Sequence, residues 1–178
     1  MAQALTELES ATLGAIAQLQ PCSTYQVRRA FARSATAAWS ASAGTIYPVI
    51  ERLTRLGLVR AQVRSGDPRG RRDLSVTAKG RRAIRAWVLG LTARDAASMP
   101  DPVRTRLHFL ELLESKDERA AFLDAAARLT DAAIAQTKIF LKAERAHARI
   151  DYLASLGALH QLEARRKWLR LVRRQLAL

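Results

Sequence analysis

The sequence predicts a mainly α-helical protein in which one β-hairpin separates an N-terminal group of helices from a C-terminal group. Apolar residues recur every three to four positions along most of the 178 residues. The period changes to two only between about Leu58 and Thr77. A polar stretch that ends in Pro100 divides the chain. We therefore expect one domain at 1–92 and a second, all-helical domain at 101–178.

The first predicted helix covers residues 7–19. Thr6 and Glu9 form a Thr-x-x-Glu capping box directly ahead of an apolar run. Leu8, Thr12, Ala15, Ile16 and Leu19 follow at helical spacing. Both signals favour a helix that starts at Glu7.

Two more helices are predicted before the hairpin. Ser23 or Thr24 can cap the second helix, which covers about 24–33. The third covers about 42–56, and Gly57 is a suitable residue to end it. It contains Pro48, which is tolerated only near a helix start, so we expect an irregular first turn. The apolar face of the third helix consists of Ile46, Val49, Ile50, Leu53 and Leu56.

The hairpin is predicted from alternation of apolar and polar residues at 58–64 and 71–77, with turn-forming residues at 65–70. Thr77 can cap a fourth helix that continues through Trp87. Three helices, a hairpin and a helix in this order form a winged helix-turn-helix. The side chains expected to point inward from the two strands are Val59, Ala61, Val63, Leu74 and Val76.

The C-terminal domain is predicted to be helical throughout. Asp101 followed by Pro102 begins a short amphipathic helix that extends through Leu113. Ser115 and Glu118 form a second capping box, which opens a long helix to about residue 150. Its expected apolar stripe consists of Phe122, Ala126, Leu129, Ala133 and Phe140.

The last helix is predicted at about 155–176. Helices of this length in a domain of about 80 residues cannot enclose a compact core alone. We therefore expect the C-terminal helices, together with the first helix, to pack on a second copy of the chain.

Charge indicates the kind of partner. The chain carries 30 Lys and Arg against 16 Asp and Glu, a formal net charge of +14 at pH 7. Fourteen basic and five acidic residues lie within 1–92, against sixteen and eleven within 93–178. Most of the basic residues are arginines, which suit phosphates and base edges better than lysines do. This balance favours nucleic acid or an anionic membrane face as the partner.

One segment carries a specific motif. It reads Ala-Gly-Thr-Ile-Tyr-Pro-Val-Ile-Glu-Arg-Leu at 43–53, and Leu-Gly-Leu-Val follows at 56–59. Leu-Ser-Val-Thr-Ala-Lys-Gly at 74–80, Leu13-Gly14 and Tyr25 match in order. From residue 7 to about 90 the sequence closely resembles the PadR family of transcription regulators. The C-terminal half is loosely similar to that family's longer-tailed branch, which has a helical dimerisation domain.

The resemblance implies binding of double-stranded DNA by the third helix, called the recognition helix, and by the hairpin, called the wing. Tyr47 is expected to contact the DNA backbone or to pack against the domain, and the wing arginines to clamp phosphates or enter the minor groove. A hairpin whose arginines merely face water is the alternative. The expected DNA-binding residues are Ser42, Gly44, Thr45, Tyr47, Arg52, Arg64, Arg69, Arg71 and Arg72.

The resemblance also implies a homodimer on a pseudo-palindromic operator. Repression is implied more often than activation, with release when a small-molecule effector changes the spacing of the recognition helices. Trp39, Trp87 and Trp168 are candidates for an effector pocket because aromatic side chains line such sites. Packing in the core or the dimer interface is their more common role. The family usually has an aromatic residue where this wing has Leu74.

Other classes of function find little support in the sequence. It lacks a phosphate-binding glycine loop, a catalytic triad pattern and metal-ligand spacing, so we expect no enzyme, cofactor or metal. Cys22 is the only cysteine, and neither a secretory signal nor a membrane span is apparent, so we expect a reduced, cytoplasmic protein. A non-specific architectural or RNA-binding protein is one alternative. A winged helix that docks a protein partner is another.

Overall fold

The predicted fold class agrees with the computed structural model, which is mainly helical with one two-stranded sheet. The chain divides into two units, Met1–Ala97 and Ser98–Leu178, and the hairpin lies in the first. The structure describes residues 5–33, 42–64, 71–97, 101–144 and 149–178.

The first unit contains the three helices, the hairpin and the fourth helix in the predicted order. The strands pair antiparallel, with Val59 opposite Val76 and Val63 opposite Arg72. The elements are α1 (Glu7–Leu19), α2 (Thr24–Ala32), a 3-10 turn (Ser42–Thr45), α3 (Ile46–Arg55), β1 (Val59–Val63), β2 (Arg72–Val76), α4 (Ala78–Leu89) and α5 (Ala93–Ala96).

The predicted capping signals are present. The Thr6 hydroxyl accepts a hydrogen bond from the Glu9 backbone N–H, and the Glu9 carboxylate accepts one from the Thr6 N–H at 2.8 Å. Ser23 caps α2 and forms a further capping box with Gln26. Thr77 caps α4 through its hydroxyl. Each cap satisfies backbone N–H groups that the first helical turn leaves without partners.

Glycine is required at two positions that frame the hairpin. Gly57 has φ of +69°, which lets the chain leave α3 in the left-handed region. Gly80 lies where α4 crosses β1, and a Cβ there would come within 2.3 Å of the Leu58 carbonyl oxygen. The predicted stop at Gly57 is therefore confirmed, and α4 can pack closely only because residue 80 is glycine.

One continuous apolar core joins α1, α2, α3 and both strands. Leu13 and Ile16 of α1 are fully buried, as is Leu53 of α3. The buried residues of this core are Ala11, Leu13, Ile16, Cys22, Val27, Phe31, Ile46, Ile50, Leu53, Leu58, Val59, Leu74 and Val76.

One expectation for this unit is confirmed and one is wrong. The irregular first turn expected from Pro48 is present, because the third helix begins as a 3-10 turn and the α-helix starts only at Ile46. Pro48 is thus the third residue of α3, where a backbone N–H would have no helical partner in any case. Val63 shares a strand face with Val59 but is 63% exposed, because the hairpin extends beyond the core there.

The second unit is built on two long helices. Its elements are α6 (Pro102–Leu107), a 3-10 turn (Leu110–Leu112), α7 (Lys116–Glu144) and α8 (Arg149–Gln175). The predicted short helix therefore ends at Leu107, and the last helix starts at Arg149 instead of near 155. Three ion pairs join α7 and α8 in antiparallel register: Asp124–Arg173, Asp131–Arg166 and Lys138–Glu163.

Most of the buried apolar side chains described in the second unit belong to two small clusters. Leu123, Ala126 and Leu169 form one, and Ile134, Leu141 and Leu159 form the other. Leu129, which was expected on the inward stripe of the long helix, is 72% exposed. The reason is geometric, since Leu129 lies about 100° around α7 from the buried residues.

Candidate DNA interface

The N-terminal end of α3 is presented to solvent while its other side is anchored in the core. Gly44 and Thr45 are exposed in the 3-10 turn, and Tyr47, the second residue of α3, is 50% exposed. The 3-10 turn includes the backbone of Ser42, whose side chain lies outside the described residues. The anchoring side chains are Ile46, Ile50 and Leu53. The structure therefore places three of the predicted DNA-binding residues, Gly44, Thr45 and Tyr47, at the exposed N-terminal end of α3. A groove of DNA could accept this end.

The wing presents a second basic surface. Arg71 and Arg72 are exposed at the start of β2, and the Arg71 carbonyl accepts a hydrogen bond from the Arg64 N–H at 2.8 Å. The Arg64 guanidinium forms a bidentate ion pair with Asp73, with Nε–Oδ2 and Nη2–Oδ1 distances of 3.0 and 2.6 Å. The Arg64 guanidinium is therefore already engaged by the carboxylate of Asp73. Arg69 lies outside the described residues.

Arg52 is placed differently from the expectation. Its Nε lies 2.5 Å from Oε1 of Glu9 in α1, and its side chain is 33% exposed. Arg52 therefore does not share the exposed surface of Tyr47, because the ion pair directs its side chain towards α1. Burial raises the pKa of Glu9, but the hydrogen bonds from Thr6 and Arg52 and the charge of Arg52 outweigh it, so that pKa lies below its usual value.

Further basic residues lie on α2, the helix that precedes the 3-10 turn in the chain. Arg28 stacks over the ring of Tyr25, with 5.6 Å between the guanidinium carbon and the ring centroid. Both side chains are exposed, as are Arg29 and Arg33. Tyr25 therefore positions one of the two arginines within α2, and Arg33 follows at its C-terminal end.

Residues 12–86 match a model described as the transcriptional regulator PadR-like family. The N-terminal domain belongs to the PadR-like family. No curated protein sequence matches the chain significantly.

Solved structures share this fold over nearly the whole chain. Bacillus subtilis PadR in complex with operator DNA has a TM-score of 0.78 at 19% identity, covering 98% of this chain and 99% of that one. The same protein in complex with p-coumaric acid gives 0.73 at 17% identity, with 98% and 99% covered. The PadR-like regulator BC1756 from Bacillus cereus gives 0.72 at 15% identity, with 99% of each chain covered. At these identities the likeness establishes the fold.

Three functional placements in the PadR-like domain were missed by sequence reasoning. Glu9 was interpreted only as a capping residue, and no partner was assigned to Asp73 in the wing. Lys79 donates a hydrogen bond to the Leu56 carbonyl at 2.8 Å and so caps the end of α3. Each contact joins residues from different elements, and no local pattern in the sequence signals such a pair.

Each described tryptophan packs within its own unit. Trp87 packs against the N-terminal core, and its indole N–H donates to the Glu7 carboxylate at 3.1 Å. Trp168 packs against the cluster around Leu123 in the second unit. Trp39 lies outside the described residues. Trp87 and Trp168 thus have the packing role that is common for tryptophan in helical proteins.

A groove of about 800 Å³ lies in the second unit, between the 107–119 region and the end of α8. Leu107, Leu171 and Val172 form apolar walls, and Lys116 and Arg119 supply positive charge. None of its lining residues is a tryptophan.

The described part of the chain contains neither a cluster of metal-binding side chains nor a membrane-spanning helix. There, His, Cys, Asp and Glu side chains do not gather in threes or more as a metal site requires. No helix among these residues has the length and apolar character needed to cross a membrane.

Proposed function

We propose that this chain is a cytoplasmic, sequence-specific DNA-binding transcriptional regulator, a repressor that binds a pseudo-palindromic operator as a homodimer and is released by a small molecule. The DNA-binding part is residues 1–92, and the dimerisation part is residues 101–178. The observation that carries the proposal is the exposed N-terminal end of α3 together with a wing whose arginines are exposed.

The end of α3 has the size and chemistry of a major-groove reader. A recognition helix contacts base edges with its N-terminal residues, while its N–H groups favour a nearby phosphate. Thr45 and Tyr47 offer hydroxyl groups there, and Gly44 lets the DNA backbone approach closely. In the wing, Arg71 and Arg72 supply phosphate contacts. Bacillus subtilis PadR, which shares the fold, has been solved with operator DNA.

The homodimer is supported by an exposed apolar sector on α7. At about 100° per residue, the exposed positions of this helix fall into two sectors. One sector is charged and includes Asp131, Lys138 and Lys142. The other contains the apolar residues Ala121, Leu129, Ala132, Ile139 and Ala143, which share it with the polar residues Glu118 and Gln136. We name the five apolar residues the α7 apolar sector. An exposed apolar surface of this kind is typical of helix association.

α8 has a matching surface. Its exposed positions include Ile150 at 73%, Leu153 at 50% and Leu171 at 45% exposure, and these lie on one side of the helix. Small residues, Gly157 and Ala164, lie between them. Two such helices from each of two chains can bury these surfaces against one another, which gives a dimer whose two wings reach two half-sites.

The effector proposal is supported by the relative solved with p-coumaric acid. Any effector must bind one spacing of the recognition helices more tightly than another, because only differential affinity shifts a population. A screen that measures thermal stabilisation by phenolic acids and cationic compounds tests this step. A compound that stabilises the protein without weakening DNA binding would contradict release.

The central experiment is selection of duplexes from a random pool by the wild-type chain, followed by footprinting on the selected sequence. We expect two protected half-sites about one helical turn apart. Binding should exceed that to scrambled DNA by a factor of roughly a thousand at physiological salt. One protected half-site would contradict the symmetric operator.

The second candidate is a non-specific architectural or RNA-binding protein, which the net charge of +14 favours. Charge alone supplies affinity for any phosphate backbone. The two candidates differ in the competition experiment, since a non-specific binder releases the selected duplex as readily to scrambled DNA or RNA as to unlabelled operator.

A further inference from the structure

Glu9 makes two contacts with one carboxylate. Oε2 accepts the Thr6 N–H at 2.8 Å and closes the α1 capping box, while Oε1 faces Arg52 Nε at 2.5 Å. Only 8% of the Glu9 side chain is exposed. The capping box holds the carboxylate in place at the start of α1, and Arg52 reaches it from α3. The start of α1 is thus joined to α3, the helix that carries the candidate DNA-binding residue Tyr47.

Apolar side chains of α1 and α3 also share one core. Leu13 and Ile16 pack in the same core as Ile50 and Leu53. Such packing holds two helices together, but it is non-directional and permits small rotations of a helix about its axis. A buried ion pair adds little net stability, and its best-attested use is to fix one arrangement among several. The Glu9–Arg52 ion pair, in contrast, joins one particular atom of α1 to one particular atom of α3.

We propose that Glu9 is a positioning residue for DNA recognition, acting through Arg52 to fix the rotation of α3 and hence the direction of Thr45 and Tyr47. This inference rests on the proposed function. Arg52 and Tyr47 are five residues apart, about 140° around the helix axis, so any rotation that Arg52 permits moves Tyr47 by the same angle. Recognition sites lose most of their effect when the supporting residues leave them about 1 Å too loose.

A set of variants distinguishes a positioning role of Glu9 from an effect on protein stability and from a direct phosphate contact by Arg52. Glu9→Gln keeps an acceptor for the Thr6 N–H but removes the charge that Arg52 faces. Thr6→Ala is the matched control, because it weakens the same cap and leaves the carboxylate in place. Arg52→Gln removes the other partner, and Arg52→Lys keeps the charge without the guanidinium geometry. The double variant Glu9→Gln/Arg52→Gln completes a cycle.

The measurement is affinity for the duplex selected by the wild type and for a scrambled duplex of equal length, each over a range of salt. We expect Glu9→Gln and Arg52→Gln to lower affinity for the selected duplex about tenfold, the effect of one mismatched base pair. Affinity for the scrambled duplex and the salt slope should stay at the wild-type values. The double variant should lose no more than either single variant, and Thr6→Ala should keep the wild-type ratio of the two affinities.

A purely structural role is distinguishable, since partial unfolding lowers both affinities by one factor and leaves their ratio unchanged. A salt slope reduced by about one in Arg52→Gln would overturn the proposal, because it would identify Arg52 as a phosphate contact. If a Gln variant does not fold, Arg52→Lys decides: a wild-type ratio in that variant also contradicts positioning by the guanidinium.

A readout without DNA keeps the inference separate from the proposed function. In amide NMR spectra, Glu9→Gln and Arg52→Gln should shift the same α3 resonances in the same direction, and Thr6→Ala should leave them in place. If the wild type selects no sequence, the proposed function fails, and these spectra still test whether Glu9 orients α3. Unchanged α3 resonances would overturn the inference.

Discussion

The two units of this chain bury their apolar side chains differently. In the first, thirteen of the described residues join in one core that draws on three helices and both strands. In the second, two helices of 29 and 27 residues enclose two clusters of three residues each. Leu129, Ile139 and Ile150 of these helices stay exposed. The first unit has the core of an independent domain, whereas the second has the surfaces of half an assembly.

The largest expected effect tests that difference in cores. Leu53→Ala should destabilise the protein by about 3 kcal/mol, because Leu53 is fully buried in the continuous core. Leu159→Ala, in a cluster of three, should cost at most about 2 kcal/mol, since a small cluster at a surface can relax around the loss. Denaturant unfolding at one protein concentration measures both. An equal or larger loss for Leu159→Ala would contradict the comparison.

The next effect concerns the α7 apolar sector. Leu129→Lys should weaken the proposed dimer on the order of a hundredfold, because it places a charge in a desolvated interface. Ala135→Lys is the control, since it adds the same charge within the charged sector of α7. Sedimentation over a range of concentrations gives the dissociation constants. Equal constants for the two variants would show that the sector does not cover a partner.

The third effect compares arginines within the first unit. Arg71→Gln and Arg72→Gln should each lower DNA affinity several-fold and reduce the salt slope by about 1. Arg82→Gln, an exposed position on α4, is the matched control. Asp73→Asn should act in the opposite direction, because it removes a carboxylate from the wing and releases Arg64 from its ion pair. Binding isotherms at several salt concentrations check all four variants.

The smallest effect concerns Asp101, which caps α6 and pairs with Arg165 at 2.9 Å. Burial raises the pKa of Asp101. Hydrogen bonds from the α6 backbone and from Arg165 outweigh that effect, so the pKa lies below its usual value. Its stabilisation is therefore present above the unfolded-state pKa and is lost as pH falls through the folded-state pKa. Asp101→Asn keeps the cap and loses the pair, so it should cost at most about 1 kcal/mol at pH 7.

The control for this variant is pH itself. Unfolding of wild type and Asp101→Asn should differ at pH 7 and converge as the solution becomes acidic enough to protonate Asp101. A difference that persists unchanged at low pH would mean that the ion pair is not its source.

The sequence by itself determined the element order, most element boundaries and the position of the candidate site. Capping boxes such as Thr6 with Glu9, the left-handed stop at Gly57 and the apolar face of α3 all depend on residues within about one helical turn. Such signals are local, so they can be identified without knowing what each element packs against. The exposed end of α3 and the basic strand of the wing follow from them.

Only the tertiary structure decided which charges meet. Arg52 was expected to face DNA and instead pairs with Glu9, and Lys79 caps the end of α3. Arg64, which was also expected to bind DNA, forms an ion pair with Asp73. These contacts depend on how separate elements pack, and a long charged side chain can reach several places from one backbone position. Exposure of Leu129 was likewise decided by packing, because α8 covers only one side of α7.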